Sequence, residues 1–264
     1  MGGSGGVAPL ITLTTDFGLS DPFVGIMKGV IATRAPQVPV VDVSHGIPPQ
    51  AVVVGAFVLQ QAAPYFPRGT VHVAVVDPGV GSGRRALCIE TNAGCFVGPD
   101  NGVLALAAEA AGIRRIVELT AERFFLSPRS STFHGRDVFA PVAAALASGT
   151  PPGDFGAERG ELVRVPMPVP VTDATGVHGE VLYVDHFGNL ISNVPAALFP
   201  GGPFVVSVAG VRIGPVSQTY AAVPPGALVA LVDSFGLLEI AVRDGCAHDA
   251  LACGAGAPVA LIPS

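Results

Sequence analysis

The sequence has 264 residues, of which 50% are hydrophobic and 13% are charged, and its 34 glycines and 25 prolines are spread along the chain. This composition is typical of a globular protein with many turns and a sizeable core, and it excludes a disordered chain. The net charge of −6 and the lack of any Lys/Arg-rich stretch argue against binding to nucleic acid or to an anionic membrane, so a small molecule is the expected partner.

The N-terminal residues 1–9 are predicted to form a flexible tail. They lack both the basic start and the apolar core of a signal peptide, which favours a cytoplasmic protein. The longest nearly uncharged stretch, residues 47–67, contains Gln50, Gln60 and Gln61 and has prolines near both ends. It therefore fits a buried helix better than a membrane span.

From residue 10 to residue 149, short β-branched runs alternate with helical ones. This pattern predicts an α/β domain over residues 10–150, with a central, mostly parallel sheet and helices on both faces. The predicted strands are 10–15, 38–43, 70–76, 86–90, 95–98 and 116–119. The predicted helices are 22–34, 50–63, 103–111 and 137–147. Asp21 and Pro22 are expected to begin the first helix, because an acid can cap free amides and proline suits the first helical position.

The segment 151–175 is rich in proline and glycine and has no periodicity, so we expect it to link two domains. After it the helical pattern ends, and short strands alternate with Gly, Pro and Asn turns. This predicts a small all-β C-terminal domain over residues 176–264, either a barrel or a sandwich. The predicted strands are 179–185, 189–193, 204–208, 211–213, 227–232, 237–242 and 259–262.

The first candidate site combines an acid, a guanidinium and an imidazole. In the segment 75–85, Asp77 stands where a predicted strand gives way to a Gly-rich loop, which is where α/β folds place their chemistry. The glycines allow Arg84 to return beside Asp77. His134, in the segment 133–137, adds an imidazole at another loop-to-helix junction, and the three groups together could hold and activate water. Solvated arginines and a structural histidine are the alternatives.

Asp16 ends the first predicted strand in the sequence Thr-Thr-Asp-Phe-Gly. Its carboxylate could accept hydrogen bonds from a ribose diol, or it could cap the helix predicted from Pro22, and the residues favour neither. Carboxylates and histidines could also form a metal site, but the chain has no HxH or HExxH spacing. The four cysteines lack CxxC spacing and are expected to be buried free thiols. No metal and no other cofactor is predicted.

Two segments of the predicted β domain carry side chains of the kind that bind ligands. In the segment 183–193, an amide (Asn189) can read a purine edge, an aromatic ring (Phe187) can stack on it, and an acid (Asp185) can hold an ammonium. The segment 233–241 is either a hairpin corner or the carboxylate-binding side of a pocket, and its candidates are Ser234, Phe235 and Glu239. Ordinary polar turns are the alternative for the first segment as well.

The order of these motifs resembles that of the S-adenosylmethionine hydrolases (SAM hydroxide adenosyltransferases), which are relatives of the fluorinases and chlorinases. The resemblance runs from about residue 10 to residue 262. It rests on Thr-Thr-Asp16-Phe-Gly, Asp42-Val-Ser-His45, Val-Asp77-Pro-Gly-Val-Gly, Arg84, Phe-His134-Gly-Arg-Asp137, Asp185-His-Phe-Gly-Asn189 and Ser234-Phe-Gly-Leu-Leu-Glu239.

This resemblance implies hydrolysis of S-adenosyl-L-methionine to adenosine and methionine, without a metal or other cofactor. The implied water-activating residues are Asp77, Arg84 and His134. The implied substrate contacts are Asp16 to the ribose, Phe187 and Asn189 to adenine, and Asp185 and Ser234 to the methionine end. Phe133, Gly135, Phe235 and Glu239 complete the candidate site.

The halogenating relatives replace the acid and the histidine of the water site, and the fluorinase carries an inserted loop in its first domain. This chain keeps Asp77, His134 and a short first domain, so the resemblance favours a hydrolase. A halide-dependent adenosyltransferase and a non-catalytic adenosine or S-adenosylmethionine binder are the alternatives. The resemblance also implies a homotrimer with active sites between the first domain of one subunit and the second domain of its neighbour.

Overall fold

The computed structural model describes residues 9–264, so the predicted tail over residues 1–9 lies outside the described residues except for Pro9. The chain folds into two compact units, of which the first ends at Pro166 and the second begins at Met167. Within the described residues, no helix is both long enough and apolar enough to cross a membrane.

The first unit contains a seven-stranded sheet covered by helices. Its strands are β1 (Ile11–Thr15), β2 (Val40–Ser44), β3 (Thr70–Val75), β4 (Ala86–Thr91), β5 (Gly94–Pro99), β6 (Ile113–Glu118) and β7 (Glu158–Arg159). Its α-helices are α1 (Phe23–Arg34), α2 (Val52–Ala62), α3 (Ala105–Ala110) and α4 (Ala140–Ala147). A π-helical turn, Gly135–Phe139, leads directly into α4.

The sheet is mixed, with the strand order β2-β1-β3-β5-β4-β6-β7. The pairs β1–β2, β1–β3 and β3–β5 are parallel. The pairs β4–β5, β4–β6 and β6–β7 are antiparallel. Because only residues 92 and 93 separate β4 from β5, these two strands form a hairpin and must run in opposite directions. The predicted parallel arrangement therefore holds for one half of the sheet.

Helices pack on both faces of this sheet. Successive side chains of a strand point to opposite faces, so neighbouring residues of one strand belong to different cores. Val73 of β3 belongs to a buried cluster with Met27 of α1 and with residues of α4. The next residue, Ala74, belongs to a second cluster with Leu59 of α2 and Ala108 of α3. The first unit is thus a three-layer structure with a core on each side of the sheet.

The start of α1 differs from the prediction. The helix begins at Phe23, Pro22 occupies the N-cap position, and no side-chain hydrogen bond caps this end. The expected capping by Asp21 is therefore not found. The predicted fourth helix begins as the π-helical turn, two residues earlier than expected, and becomes α-helical only at Ala140.

The second unit contains a nine-stranded sheet with the order β12-β11-β16-β9-β10-β15-β14-β13, and β8 pairs with β9 beside this path. Its strands are β8 (Val171–Asp173), β9 (Gly176–Val184), β10 (Leu190–Pro195), β11 (Phe204–Val208), β12 (Val211–Gly214), β13 (Val216–Ser217), β14 (Leu228–Val232), β15 (Leu237–Val242) and β16 (Pro258–Pro263). All of these pairs are antiparallel except β13–β14. β12 lies beside β14, so the sheet nearly closes into a barrel around a buried apolar core.

A short helix, α5 (Ala247–Leu251), follows β15 and departs from the all-β prediction. The strands β7, β8 and β13 are also absent from the predicted set. Each of these elements has five residues or fewer. Such lengths are too short for a hydrophobic period to appear.

Candidate active site

Asp77 and Arg84 form an ion pair across the Gly-rich loop that follows β3. Arg84 Nε lies 2.9 Å from Asp77 Oδ1 and 3.1 Å from Oδ2, and Arg84 Nη2 also donates a hydrogen bond to Oδ2. The side chains of Asp77 and Arg84 are only 5% and 10% exposed. Water therefore screens this pair weakly, and the two charges act as one rigid unit.

A close approach at Gly81 brings this loop against the segment that leads to His134. Gly81 has a φ of +78°, and a Cβ atom at this position would lie 2.3 Å from the carbonyl oxygen of Ser131. Glycine is required for both reasons, because it tolerates the left-handed conformation and leaves room for the neighbouring backbone. The two loops can meet at the site only because residue 81 has no side chain.

His134 completes the group, as the sequence predicts. Arg84 Nη2 lies 2.9 Å from His134 Nδ1. Since a guanidinium can only donate hydrogen bonds, Nδ1 must accept, and the imidazole is neutral with its proton on Nε2. Burial lowers the pKa of His134, and so do the positive charges of Arg84 and Arg129, against the opposing effect of Asp77 and Asp137. The imidazole therefore presents an N–H donor at neutral pH.

Asp137 holds the backbone around His134 and stays out of the cleft lining. Its carboxylate accepts hydrogen bonds from Arg136 Nε at 2.6 Å and from the backbone N–H of Ser130 at 2.7 Å. Burial raises the pKa of Asp137, but these hydrogen bonds outweigh it, and the net pKa lies below the ordinary value. Arg136 and Asp137 also form an ion pair, and the hydrogen bond from Ser130 to Asp137 ties residue 130 to the π-helical turn.

A cleft of about 280 Å³ opens beside these groups in the first unit. Its lining includes the predicted residues Asp16, Asp77, Phe133, His134 and Gly135, together with Gln50. Arg84 does not belong to this lining, because it lies behind Asp77 and His134 and bonds to both. Its charge therefore acts on the contents of the cleft through those two residues.

Asp16 lines the cleft and supports a strained backbone. Its Oδ2 accepts a hydrogen bond of 2.8 Å from the backbone N–H of Gln50, which has a φ of +65°. A non-glycine residue rarely adopts this conformation. Asp16 does not cap α1, so the helix-capping alternative is wrong. The second carboxylate oxygen, Oδ1, accepts no hydrogen bond from the described residues and is available to a ligand.

Three aromatic rings form an apolar wall next to Asp16. Phe17, Phe23 and Phe133 contact each other edge to face, with ring centroids 5.2 to 5.9 Å apart. Phe17 and Phe133 both line the cleft. Aromatic pairs in this geometry stabilise each other beyond the area that they bury, so the wall is a firm surface.

A second cavity, of about 410 Å³, lies in the second unit. It brings together all six residues that the sequence predicts there, namely Asp185, Phe187, Asn189, Ser234, Phe235 and Glu239. The ring of Phe187 is 73% exposed, which is unusual for so large an apolar side chain. It offers a free face on which a planar ligand can stack.

Asp185 also shapes the turn on which it lies. Its Oδ1 accepts hydrogen bonds of 2.8 Å from the backbone N–H groups of Phe187 and Asn189. Its Oδ2 accepts one of 3.0 Å from the side-chain amide of Asn189. The turn alternative considered for this segment is thus real, and the acid organises the turn that presents the aromatic ring and the amide.

Glu239 adds a carboxyl group to the second cavity, which Asp185 and Asp233 also line. It is buried and accepts a hydrogen bond of 2.7 Å from the hydroxyl of Tyr220. Burial raises the pKa of Glu239, and the nearby Asp185 and Asp233 raise it further. Burial and the same three acids raise the pKa of Tyr183 to about 12. Several carboxylates around one cavity favour a cationic ligand.

Sequence reasoning missed Gln50, Tyr183 and Tyr220, all of which line one of the two cavities. The sequence marks Gln50 only as a polar residue within a predicted helix, and the two tyrosines lie outside the glycine turns that mark the other candidates.

Among residues 9–264, no group of three or more His, Cys, Asp or Glu side chains is arranged to hold a metal ion. The four cysteines are free thiols, as predicted, but only Cys88 is buried and the other three are partly exposed.

Comparison with protein families gives two matches that together span most of the chain. The N-terminal domain of the SAM hydroxide adenosyltransferases matches residues 11–156, and the C-terminal domain of the same family matches residues 179–260. The chain belongs to the SAM hydroxide adenosyltransferase family. The two family domains correspond to the two units, each of which contains one of the cavities.

Individual relatives within and around the SAM hydroxide adenosyltransferases agree with this. The chain is 48% identical to the (R)-S-adenosyl-L-methionine hydrolase of Salinispora arenicola, over 94% of this chain and 95% of the relative. It is 29% identical to the fluorinase of an Actinoplanes species, over 70% and 72% of the two chains. An uncharacterised conserved protein from Thermotoga maritima has a similar structure, with a TM-score of 0.89 and 37% identity over 96% of this chain and 99% of that one.

Proposed function

We propose that this protein hydrolyses S-adenosyl-L-methionine to adenosine and L-methionine by attack of water on C5′ of the ribose. Membership of the family and the near full-length match to a named hydrolase support this activity. The observation that carries the mechanism is the hydrogen-bonded set of Asp77, Arg84 and His134 at the cleft. A protein that only binds its ligand has no need of such a set.

The reaction is a displacement at carbon in which neutral methionine leaves. The water oxygen forms a bond to C5′ while the C5′–S bond breaks, and the electron pair of that bond remains on sulfur as the thioether of methionine. Water is a poor nucleophile at neutral pH, so one of its protons must pass to a base. That proton is finally released to solvent, which balances the loss of the sulfonium charge.

The tautomer of His134 supports a division of roles within the set. Because Nε2 carries the proton, His134 holds the water by donating a hydrogen bond to its oxygen. Asp77 is then the group that accepts the proton. Arg84 orients the Asp77 carboxylate through two of its nitrogens and keeps Nδ1 of His134 occupied. All three residues must therefore be in place at once.

The remaining site residues hold the substrate. Asp16 uses its free Oδ1 for the ribose hydroxyls, and Phe133 and Gly135 form part of the wall around C5′. In the second unit, Phe187 stacks on adenine and Asn189 reads its edge. Asp185, Ser234, Phe235 and Glu239 surround the methionine end, and the negative cavity favours its ammonium group.

We further propose a cytoplasmic homotrimer in which the cleft of one subunit is completed by the second unit of its neighbour. The family resemblance suggests this arrangement, and the exposed ring of Phe187 supports it. Each cavity holds only part of the groups that one substrate molecule requires. In the proposed trimer, a second chain supplies the missing part.

Turnover in ¹⁸O-labelled water tests the reaction. We expect adenosine that carries ¹⁸O at its 5′ position, together with unlabelled methionine, both identified by chromatography and mass spectrometry. Adenosine without the label, or no adenosine at all, would reject direct displacement by water. Formation of 5′-chloro-5′-deoxyadenosine in chloride would instead reveal the halide-dependent alternative.

The configuration of the substrate is part of this proposal. In the name of the Salinispora arenicola relative, L specifies the α-carbon, so the prefix (R) refers to the sulfonium. We expect the same preference here, because the chain is 48% identical to this relative over nearly the full length of both. Separate incubations with the two sulfonium epimers measure it, and equal rates for both would contradict it.

A further inference from the structure

Asn101 contacts the start of the loop that carries Asp77 and Arg84. It follows β5, and its side-chain Nδ2 donates a hydrogen bond of 2.8 Å to the carbonyl oxygen of Val76, the residue directly before Asp77. Asn101 Oδ1 accepts a hydrogen bond of 3.2 Å from the backbone N–H of Val103. This second bond fixes the orientation of the amide, so the donor points at Val76.

Asp100 contacts the other end of the same loop. Its backbone N–H donates a hydrogen bond of 3.0 Å to the carbonyl oxygen of Arg85, the residue directly after Arg84. Its carboxylate pairs with the Arg85 side chain, with Oδ2 at 2.7 Å from Nε and 2.6 Å from Nη2. Asp100 Oδ1 accepts a hydrogen bond of 2.8 Å from the backbone N–H of Val163. With 2% of its side chain exposed, Asp100 forms a buried and fully bonded anchor.

Within the loop between these anchors, the ion pair of Asp77 and Arg84 joins the two ends. The backbone hydrogen bonds inside the loop join near neighbours, such as Val80 N–H to Asp77 O at 3.2 Å and Ser82 N–H to Gly79 O at 3.1 Å. Glycines at positions 79, 81 and 83 give its backbone wide conformational freedom. The positions of Asp77 and Arg84 beside His134 therefore depend on the ion pair together with the contacts at the two ends of the loop.

We propose that Asp100 and Asn101 are positioning residues that hold Asp77 and Arg84 at the separation at which Arg84 bonds to both Asp77 and His134. Neither residue lines the cleft, so neither contacts a ligand there. They act through Val76 and Arg85, which flank the two functional residues in the chain. The kinetic part of the test rests on the proposed hydrolysis, whereas the spectroscopic part does not.

The kinetic test compares Asn101→Ala and Asp100→Asn with a matched control, Glu109→Gln. Glu109 lies in the same unit and pairs with Arg164 at 2.6 Å, one residue from Val163, but it contacts neither end of the loop. We expect kcat to fall by about tenfold or more in both anchor variants, because small displacements of reacting groups cost rate steeply. KM should stay within about twofold, and the control should match the unaltered protein in both constants.

The spectroscopic test follows the titration of His134 by NMR and needs no activity. The charged groups that act on His134 are Arg84, Arg129, Asp77 and Asp137. If the anchors are released and Arg84 moves away, the pKa of His134 rises towards its ordinary value. We expect this rise in Asn101→Ala and Asp100→Asn and no change in Glu109→Gln.

Both measurements are made well below the Tm of the least stable variant. A lower Tm with unchanged kcat and unchanged His134 titration would overturn the proposal, because the anchors would then serve stability alone. A protein without hydrolase activity but with the expected shift in the His134 titration would refute the proposed function and still support the positioning role.

Discussion

Arg84 serves two acceptors at once, the carboxylate of Asp77 and Nδ1 of His134. Only a planar guanidinium has donors in fixed directions for both tasks, whereas a lysine ammonium is a single point charge. The identity of this side chain therefore matters more than its charge. The residue also sets the tautomer of His134, and with it the proposed path of the proton that water loses.

Arg84→Lys retains the positive charge but loses this geometry. We expect kcat to fall by about tenfold or more while KM changes little, because Arg84 does not line the cleft in which the substrate is proposed to bind. Steady-state kinetics measure both constants. Arg159→Lys, which alters an arginine paired with Glu118 on the same sheet, is the control. Equal activity of the two variants would contradict the geometric role of Arg84.

The lowered pKa of His134 gives an expectation for the pH dependence of kcat. Protonated His134 cannot accept the hydrogen bond from Arg84, so activity is lost as the pH falls through the pKa of this group. Since that pKa lies below the ordinary value of 6.5, activity should persist below pH 6.5. Arg129→Gln removes one of the charges that lower the pKa of His134, so it should move the acidic limb of the pH–rate profile to higher pH. A limb that stays in place or moves downwards would contradict this.

Residues that stand in local motifs were predictable from the sequence, and residues without a motif were not. Asp77, Arg84 and His134 are predictable as a group because glycines lie close to each of them, at junctions where a loop meets a strand or a helix. Asp100 and Asn101 follow β5 without any such sign, and Tyr220 reaches Glu239 from a separate short helix. Their roles depend on contacts between distant parts of the chain, which a local pattern does not record.

At the scale of elements, β3 carries a histidine in the core of the sheet. His72 is buried, stacks on Phe96 with ring centroids 4.9 Å apart, and bonds to the hydroxyl of Thr12 through Nδ1 at 2.9 Å. Burial lowers its pKa from 6.5 to about 4. The folded protein therefore keeps this imidazole neutral at a pH at which the unfolded chain binds a proton.

This difference links stability to pH. Between pH 6.5 and pH 4 the unfolded state binds the extra proton, so the free energy of unfolding should decrease as the pH falls, by about 3 kcal/mol in total from this residue. Urea unfolding at a series of pH values measures the slope. His72→Gln should show a shallower slope over the same range, whatever its absolute stability. An identical slope in both proteins would rule out His72 as the source.

The hydrophobic period predicts the boundaries of some elements closely, but not those of β6 and β9, which begin three residues earlier than predicted. It does not predict the direction of the strands. β1, β3 and β15 begin and end within one residue of the prediction. The antiparallel half of the first sheet was missed, because a buried strand has the same apolar pattern in either direction. The two-residue connection between β4 and β5 was the available sign.

At the scale of the whole molecule, two units of different architecture divide the chemistry. The first contains the groups proposed to activate water, and the second contains the acidic and aromatic groups proposed to hold the substrate. Both fold classes were predictable, because alternating helices and strands give way to short strands alone after residue 175. The proposed assembly of several chains leaves no periodic trace in the sequence, and only the family resemblance suggests it.

Mixed oligomers test the proposed sharing of sites between subunits. Asp77→Asn inactivates the first unit and Asn189→Ala weakens the second, and the two variants are co-expressed with different tags. Because one intact cleft and one intact second cavity can then meet across an interface, oligomers purified through both tags should be more active than either variant alone. Activity no greater than the sum of the separate variants would contradict shared sites.

Between position 81 and the carbonyl oxygen of Ser131 there is space for a hydrogen atom and for nothing larger. The methyl group introduced by Gly81→Ala would push this loop away from residue 131. It would thereby separate the His134 imidazole from Arg84 and Asp77, while every polar atom of the protein remains. We expect such a variant to lose turnover and to show a raised His134 pKa by NMR. Full activity would mean that the gap can widen without consequence. The catalytic power of this enzyme would then reside in which side chains it has, and hardly in how tightly its backbone brings them together.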